Sequence, residues 1–167
     1  MKIRHMIWIV LGVVGAIFLF FVVATVMTVD DWSRDLSTNV AETKIKASDP
    51  LLRPIFRKGS VTCARWVVEK EIAEMPRWTL GDVTEGDGEA VLHATRKTPL
   101  WGFVDDIRIT IKPTNEEGVS VDVYSKSRLG KGDLGQNPRN IKELTRRLQE
   151  VDEAAWDCDE GGSPEEK

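Results

Sequence analysis

The feature that most constrains this chain is an apolar segment near its N-terminus. Residues 7–29 contain no charged side chain, and a helix of that length covers about 30 Å, the thickness of a bilayer's hydrocarbon core. Lys2 and Arg4 precede the segment, and two aspartates follow it. Because Lys and Arg beside a span tend to stay cytoplasmic, we expect residues 1–6 to form a cytoplasmic stub. Residues 7–29 are then an anchor in the lipid bilayer, and the rest of the chain lies across it.

A cleaved secretory signal is the alternative interpretation of this segment. The apolar region of a signal is usually about 7–15 residues long and ends at a small-x-small site. Here the apolar run is longer, and the best small-x-small candidate, residues 24–26, lies inside it. We therefore expect an uncleaved signal anchor. Either interpretation places the following domain outside the cytoplasm.

The charge balance argues against nucleic acid as a partner. The chain has 23 Lys and Arg against 27 Asp and Glu, a formal net charge of −4. Domains that bind nucleic acid usually present a strongly basic face, so no nucleic-acid partner is expected. Acidic residues concentrate near the C-terminus beside Gly-Gly and Ser-Pro. Residues 152–167 are therefore predicted to be an acidic, disordered tail.

The chain has two cysteines, Cys63 and Cys158. In an exported domain an even pair favours a disulfide. Cys63 could instead be a small buried residue of a helix, and Cys158 falls in the predicted tail, so the pattern leaves the bridge open. His93 is the only histidine after the apolar segment. Because no three or four soft ligands occur at zinc spacing, neither a metal nor another cofactor is expected.

Two helices and a lead-in frame the exported part. Residues 30–59 read as an extended lead-in containing prolines. Ser60 or Thr62 can cap a helix over roughly residues 61–75. A second helix is predicted over residues 138–151, with Asn137 as its N-cap and a proline as its first residue.

Four strand-like runs lie between the helices. Turn-rich segments join the first run to the second and the third to the fourth, which predicts two hairpins. The simplest packing covers one face of a four-stranded antiparallel sheet with both helices, an α+β domain over residues 60–151. The predicted strands cover residues 77–84, 89–98, 102–112 and 119–128.

The last two strands can be aligned by their alternating apolar residues. Pairing Ile111 with Val119 places Arg108 opposite an aspartate, a favourable cross-strand pair. The same register puts Asp105 on the inward face, opposite Ser125. The pattern therefore predicts an inward-facing carboxylate.

Two segments of the chain carry a specific pattern. The first is Phe-Val-Asp-Asp at residues 103–106. The second covers residues 125–141 and has the spacing Ser-x-Ser-Arg-x-Gly-x-x-Asp-x-Gly-x-Asn. Both segments resemble the bacterial family known as domain of unknown function 1499. The stretch at residues 31–39 resembles a membrane-anchored branch of the same family. The similarity covers roughly residues 30–150 and implies no particular activity. Together with the apolar segment, it suggests a single-pass protein of the bacterial inner membrane whose C-terminal domain is periplasmic.

Polar residues of these segments form the candidate site. In the structural interpretation, Asp105 accepts a hydrogen bond from Ser125 or from loop backbone, which offsets the cost of burying its charge. Asp133 then pairs with Arg128 or Arg139 and holds the glycine-rich loop. The cluster comprises Asp105, Ser125, Ser127, Arg128, Lys131, Asp133, Asn137 and Arg139.

The binding interpretation uses the same segment as an anion site. Arg128, Lys131 and Arg139 would act with the N-terminus of the last helix, which supplies free N–H groups and partial positive charge. Phospholipid headgroups, cell-wall phosphates or carboxylates are the candidate ligands. Asn137 weakens this interpretation, because a capping side chain would already satisfy one of those N–H groups.

Catalysis has less support in the sequence. A Ser–His–Asp or Cys–His arrangement would have to use His93, and residues 130–132 lack the spacing of a phosphate-binding loop. We assign no catalytic residue. We expect a non-catalytic envelope module that binds an envelope anion or assists a membrane protein partner. The alternative is an envelope hydrolase or transferase that uses Asp105 and Asp133.

Overall fold

The computed structural model describes residues 2–28, 37–99, 102–115 and 118–158. Within these ranges the chain is α+β, with three helices and a six-stranded antiparallel sheet. The helices are α1 (Lys2–Thr28), α2 (Val61–Glu74) and α3 (Gln136–Gln149). The strands are β1 (Val40–Glu42), β2 (Ile55–Lys58), β3 (Trp78–Gly86), β4 (Glu89–Lys97), β5 (Val104–Pro113) and β6 (Gly118–Ser127).

Helix α1 contains the apolar segment. Its stretch Arg4–Ala24 is long and apolar enough to cross a membrane, judged by length and composition. Its large apolar side chains are exposed, and none of this stretch is buried inside the protein. A helix that is apolar all round and buries none of its surface in protein is suited to a lipid environment. Residue 29, the last of the predicted span, lies outside the described residues.

The sheet is larger than the predicted four strands. Its order is β1-β6-β5-β4-β3, and β2 also pairs with β6. Strand β2 runs beside residues 118–121 of β6, and β1 runs beside residues 124–126, so two short strands share one edge. Both lie in the segment predicted to be an extended lead-in. Strands of three and four residues are too short to show the alternation that identifies a strand in a sequence.

The core lies between one face of the sheet and the helices α2 and α3. Alternate residues of β4, β5 and β6 point into it, as the period of two requires. Ion pairs connect the layers at its border: Arg96 of β4 donates to Glu143 of α3 at 2.9 Å, and Arg147 of α3 binds Glu71 of α2. The fully buried apolar residues include Val68, Ile72, Leu92, Ile107, Ile109, Ile111, Val121, Ile141, Leu144 and Leu148.

The predicted register of β5 against β6 is wrong by two residues. Ile111 pairs with Val121, and Asp105 pairs with Ser127. The ladder continues to Pro113, and the turn that follows is closed by a hydrogen bond from Thr114 N to Gly118 O at 2.8 Å. Along β5 the ladder therefore extends two residues further towards the turn than predicted.

A shift of two residues leaves every side chain on its predicted face. Asp105 is accordingly inward, as predicted, although its partner across the strands differs. On the outer face Arg108 lies opposite Tyr124 and stacks on its ring at 5.0 Å from the centroid. Asp106 lies opposite Lys126, so the observed register also has a favourable charge pair.

The C-terminal part packs on the domain further than predicted. Residues 153–155 form a 3₁₀ turn, and Trp156 is completely buried. Cys63 of α2 and Cys158 form a disulfide, with their Cα atoms 5.7 Å apart. The packed part of the domain therefore includes residues 152–158, which were predicted to belong to the tail. The rest of the predicted tail, residues 159–167, lies outside the described residues.

Candidate functional site

A cleft opens at one end of the sheet, where β5 begins, β6 ends and α3 starts. Its volume is about 500 Å³. Four of the eight predicted site residues line it, namely Asp105, Ser127, Asp133 and Arg139. Ser125 and Asn137 are completely buried in the hydrogen-bonded network behind this lining. The residues that the family resemblance identifies therefore come together mainly at one place.

Asp105 is part of the cleft floor and is 1% exposed. Its Oδ2 accepts a hydrogen bond from Asn140 Nδ2 at 2.8 Å, and the same amide reaches Ser125 Oγ at 3.1 Å. The predicted partner, Ser125, lies opposite Ile107 instead and bonds elsewhere. Asp105 is thus an inward acceptor as expected, but its described partner is a side chain of α3.

Asn137 is the centre of the network and does not cap the helix. Its Nδ2 donates to Asn39 O at 2.8 Å and to Ser127 Oγ at 3.0 Å, and its Oδ1 accepts from Ser125 Oγ at 2.6 Å. The N-cap position is Gly135, with φ 74° and no capping side chain. The predicted cap is therefore wrong, because the helix begins one residue before Asn137 and turns this side chain inward.

Asp133 satisfies the start of α3. Its Oδ1 accepts from Gly135 N at 2.9 Å, and its Oδ2 accepts from Asn137 N at 2.9 Å and from the Asn137 side chain. These are N–H groups of the kind that would bind an external anion at a helix N-terminus. The chain's own carboxylate thus occupies that position, and the amide groups do not form an open anion site.

Arg128 pairs with Asp106, and the predicted pair with Asp133 is wrong. Arg128 Nη2 lies 2.7 Å from Asp106 Oδ1, on the outer face of the sheet, and both side chains are about half exposed. This hydrogen bond and the neighbouring positive charge hold the pKa of Asp106 below its usual range. Arg128 meets Asp106 on this face because side chains alternate along a strand. Asp105 points into the cleft, and Asp106 points away from it.

The three cations of the predicted anion site are separated. Arg139 lines the cleft, where its Nη2 lies 3.5 Å from Gln136 Oε1. Arg128 is held on the outer face, and Lys131 is exposed in the loop after β6. Among the described side chains, the cleft is therefore not lined by all three cations.

The rim of the cleft is apolar, a feature that we did not predict. Phe103, Leu129 and Leu134 line the cleft with exposed fractions of 49%, 65% and 41%. We call these three residues the rim. They come from the segment before β5 and from the loop after β6, so residues distant in sequence form one edge. The sequence feature that could have predicted the rim is the presence of large apolar residues in loops that are otherwise polar and contain glycine.

Two amides that were not predicted complete the network. Asn140 joins α3 to β5 and β6 through the contacts given above. Asn39, just before β1, donates from Nδ2 to Gly130 O at 2.9 Å, and its carbonyl accepts from Ser127 N at 3.0 Å. The chain that leads from α1 thus joins the domain beside the cleft.

Metal ligands and the histidine of the domain are not gathered in the described part of the cleft. Among the described residues, no group of three or more His, Cys, Asp and Glu is placed to hold a metal ion. His93 pairs with Arg108 across β4 and β5 at exposed positions, on the face opposite Asp105. The polar side chains of the cleft floor are hydrogen-bonded within the protein, and the rim is apolar. Such a cleft has a fixed shape and an apolar surface that a ligand can contact.

Comparison with known proteins identifies the family. No curated protein matches the chain. The sequence model described as "Protein of unknown function (DUF1499)" matches residues 33–148, which includes the whole lining of the cleft described above. Since this match covers more than half of the chain, the protein belongs to the DUF1499 family.

Proposed function

We propose that the protein is a single-pass, membrane-anchored module of the bacterial periplasm that binds an envelope ligand without transforming it. The observation that carries this proposal is the hydrogen bonding of the cleft floor. Asp105, Ser127 and Asp133 are bonded to amide groups of the chain itself. A general acid or base must exchange a proton with substrate, whereas groups held in this way fix the shape of a pocket.

Two features support an exported, anchored domain. Helix α1 has the length and composition of a span, and Lys2 and Arg4 stand at its N-terminal end. The disulfide between Cys63 and Cys158 is of a kind that persists in oxidising compartments such as the periplasm. A cleaved signal would also export the domain but would leave it unattached, so the mass of the mature chain distinguishes the two.

The lining of the cleft indicates the class of ligand. The rim offers apolar surface, and Arg139 offers a cation beside it. A molecule with an apolar part and an anionic or hydroxyl-bearing part fits both, as many envelope lipids do. Asp105 and Asp133 would repel a bare multivalent anion, so an amphiphile suits the cleft better than free phosphate.

The alternative, an envelope hydrolase or transferase, rests on two carboxylates that line the same cleft, Asp105 and Asp133. Both oxygens of Asp133 already accept backbone N–H groups, and Asp105 is held by Asn140. These contacts favour binding over chemistry.

The test uses the full chain in nanodiscs and dihexanoyl-phosphatidylglycerol, a water-soluble lipid, as the probe. We expect saturable binding in NMR titrations, weakened at least about fivefold by Leu134→Ala, and recovery of the lipid intact. Phe56→Ala is the matched control, because Phe56 is an exposed apolar residue at the other end of β6. Release of hexanoate that disappears in Asp105→Asn would support the enzyme instead. Absence of saturable binding would contradict the proposal.

A further inference from the structure

The rim lies where the chain from α1 joins the domain. Asn39 bonds Gly130, the neighbour of Leu129, and pairs with Ser127 at the end of β6. The described part of α1 ends at Thr28, eleven residues before Asn39. Eleven residues span at most about 40 Å in any conformation. If α1 crosses a bilayer, the cleft end of the domain is therefore tethered within about 40 Å of the end of that span.

The rim also has the chemistry of a membrane-contacting surface. It presents one aromatic and two leucine side chains, each at least two-fifths exposed. Side chains of this kind insert at the boundary between headgroups and acyl chains when a neighbouring surface supplies positive charge.

Exposed lysines are neighbours in sequence of residues that line the cleft. Lys97, Lys126 and Lys131 are exposed, and each is next in sequence to a residue that lines the cleft. The acidic Asp106 at this end is paired with Arg128. Lysines close to a membrane surface are attracted to anionic lipids, which supplies charge complementarity.

We propose that the rim docks onto the bilayer that holds α1. Phe103, Leu129 and Leu134 enter the headgroup–acyl boundary, and the three lysines face anionic headgroups, so that the cleft opens onto the lipid layer. This inference rests on the proposed anchoring by α1 and adds a second contact between the protein and the membrane. The occupant of the apolar rim is thus a lipid surface and not a second copy of the chain or another protein.

Spin labels on the full chain in vesicles provide the test. Single cysteines are introduced as Leu129→Cys and Phe103→Cys in the rim, Phe56→Cys as the matched control, and Leu19→Cys in α1. The native cysteines are joined in a disulfide and leave the introduced thiol as the labelling site. Phe56 pairs with Ser120, seven residues before Ser127 on β6, which places it about 23 Å along the sheet from the cleft.

We expect the labels at residues 129 and 103 to be relaxed by oxygen and protected from a water-soluble nickel chelate in vesicles with 30% phosphatidylglycerol. The label at residue 56 should show the reverse. In vesicles of phosphatidylcholine alone, the depth of the rim labels should decrease. The double change Lys97→Gln and Lys131→Gln should reduce this dependence on anionic lipid.

The other outcomes separate the two proposals. A label at residue 19 in water would show that the anchoring itself fails. A label at residue 19 inside the bilayer with both rim labels in water would overturn the docking and leave the anchor intact. Rim labels shielded from both oxygen and nickel, to an extent that grows with protein density in the membrane, would show that a second copy covers the rim.

Discussion

At the scale of single residues, the cleft depends on a buried carboxylate held by amides. Asp105 and Asn140 are both almost fully buried, and the Asn140 amide joins Asp105 to Ser125. A buried acceptor of this kind stabilises the fold while its donors are present, and its loss leaves those donors poorly satisfied. The neighbouring Asp106 makes an ion pair that is exposed to water. Substituting Asp105 and Asp106 in turn therefore compares the stability contributed by a buried and by an exposed carboxylate.

Asp105→Ala should therefore lower the free energy of unfolding by about 1–3 kcal/mol, because Asn140 loses an acceptor in a buried site. Asp106→Ala should cost less than about 1 kcal/mol, because its ion pair is about half exposed and is screened by water. Urea titrations of the full chain in one detergent measure both. Equal, small losses would mean that the carboxylate of Asp105 is not a structural acceptor.

The sequence predicts the inward position of Asp105 but not its partner. Alternation along β5 determines which face a side chain takes, and this survives an error of two residues in register. The contact with Asn140 depends on how α3 lies across the sheet, which no local pattern contains. Asn137 shows the same limit: Asn-Pro resembles a cap followed by a first helical residue, yet Asp133 supplies the bonds to the helix start.

At the scale of elements, short connections hold the helices against the sheet. Asp49 caps the 3₁₀ turn Pro50–Leu52 by accepting from Leu51 N at 2.9 Å, and Lys142 of α3 donates to the same carboxylate at 2.9 Å. The Lys142 side chain thus bonds the segment before β2 to α3. The hydrogen bond from Lys142 lowers the pKa of Asp49 most, followed by the bond from Leu51 N.

The stabilisation from Asp49 should depend on pH in a defined direction. Its pKa is lower in the folded state than in the unfolded chain, where it is about 3.9. Its contribution is therefore complete above that unfolded value and is lost as the pH falls through the folded value. Asp49→Asn should be less stable than the native chain at pH 7, by no more than about 1 kcal/mol because the carboxylate is partly exposed. The two should converge as the pH falls below the folded-state pKa of Asp49.

Urea unfolding at a series of pH values measures this difference. A gap between Asp49→Asn and the native chain that stays constant down to pH 2 would contradict the assigned ion pair with Lys142. Glu42→Gln is a suitable control, because Glu42 pairs with Lys44 at 3.5 Å in an exposed position.

The contact between Gly59 and the C-terminal part is a second connection between elements. Gly59 follows β2 with φ 126°, and a Cβ atom there would overlap the carbonyl oxygen of the buried Trp156. Gly59→Ala should therefore lower the free energy of unfolding by about 2–4 kcal/mol through backbone strain and overpacking.

Gly86→Ala is the matched control, since a Cβ at Gly86 meets no atom within 4 Å. It should change stability far less than Gly59→Ala does. Thermal unfolding followed by circular dichroism would measure both variants. Similar melting temperatures for the two would show that Trp156 does not pack against Gly59.

The helices and the four longer strands were predictable, whereas the sheet edge was not. Strands β3–β6 carry nine or ten residues each, and β4, β5 and β6 show a clear period of two. Strands β1 and β2 pair with β6 across 60 or more positions of sequence, and their short runs resemble a loop. The predicted register of the last hairpin was wrong because alternation alone does not distinguish registers that differ by two residues. The expected charge pair of Arg108 favoured the incorrect register.

At the scale of the whole molecule, the two ends of the domain have different roles. The disulfide closes a separation of 95 residues and ties the C-terminal part to α2. A crosslink over so long a loop stabilises by restricting the unfolded chain, by about 4–5 kcal/mol in the chain-entropy account. The other end holds the cleft, its rim and the connection to α1. Anchor, cleft and disulfide together support the proposed module at the periplasmic face of the inner membrane.

The central claim is that α1 anchors the domain on the far side of the membrane from the cytoplasm. A phosphatase that is active only after export, fused after Lys167, tests this most directly in intact bacterial cells. We predict phosphatase activity that sediments with the membrane fraction at the mass of the uncleaved fusion, because Lys2 and Arg4 precede the span. An inactive phosphatase, together with a fluorescent cytoplasmic reporter at the same position, would contradict the account.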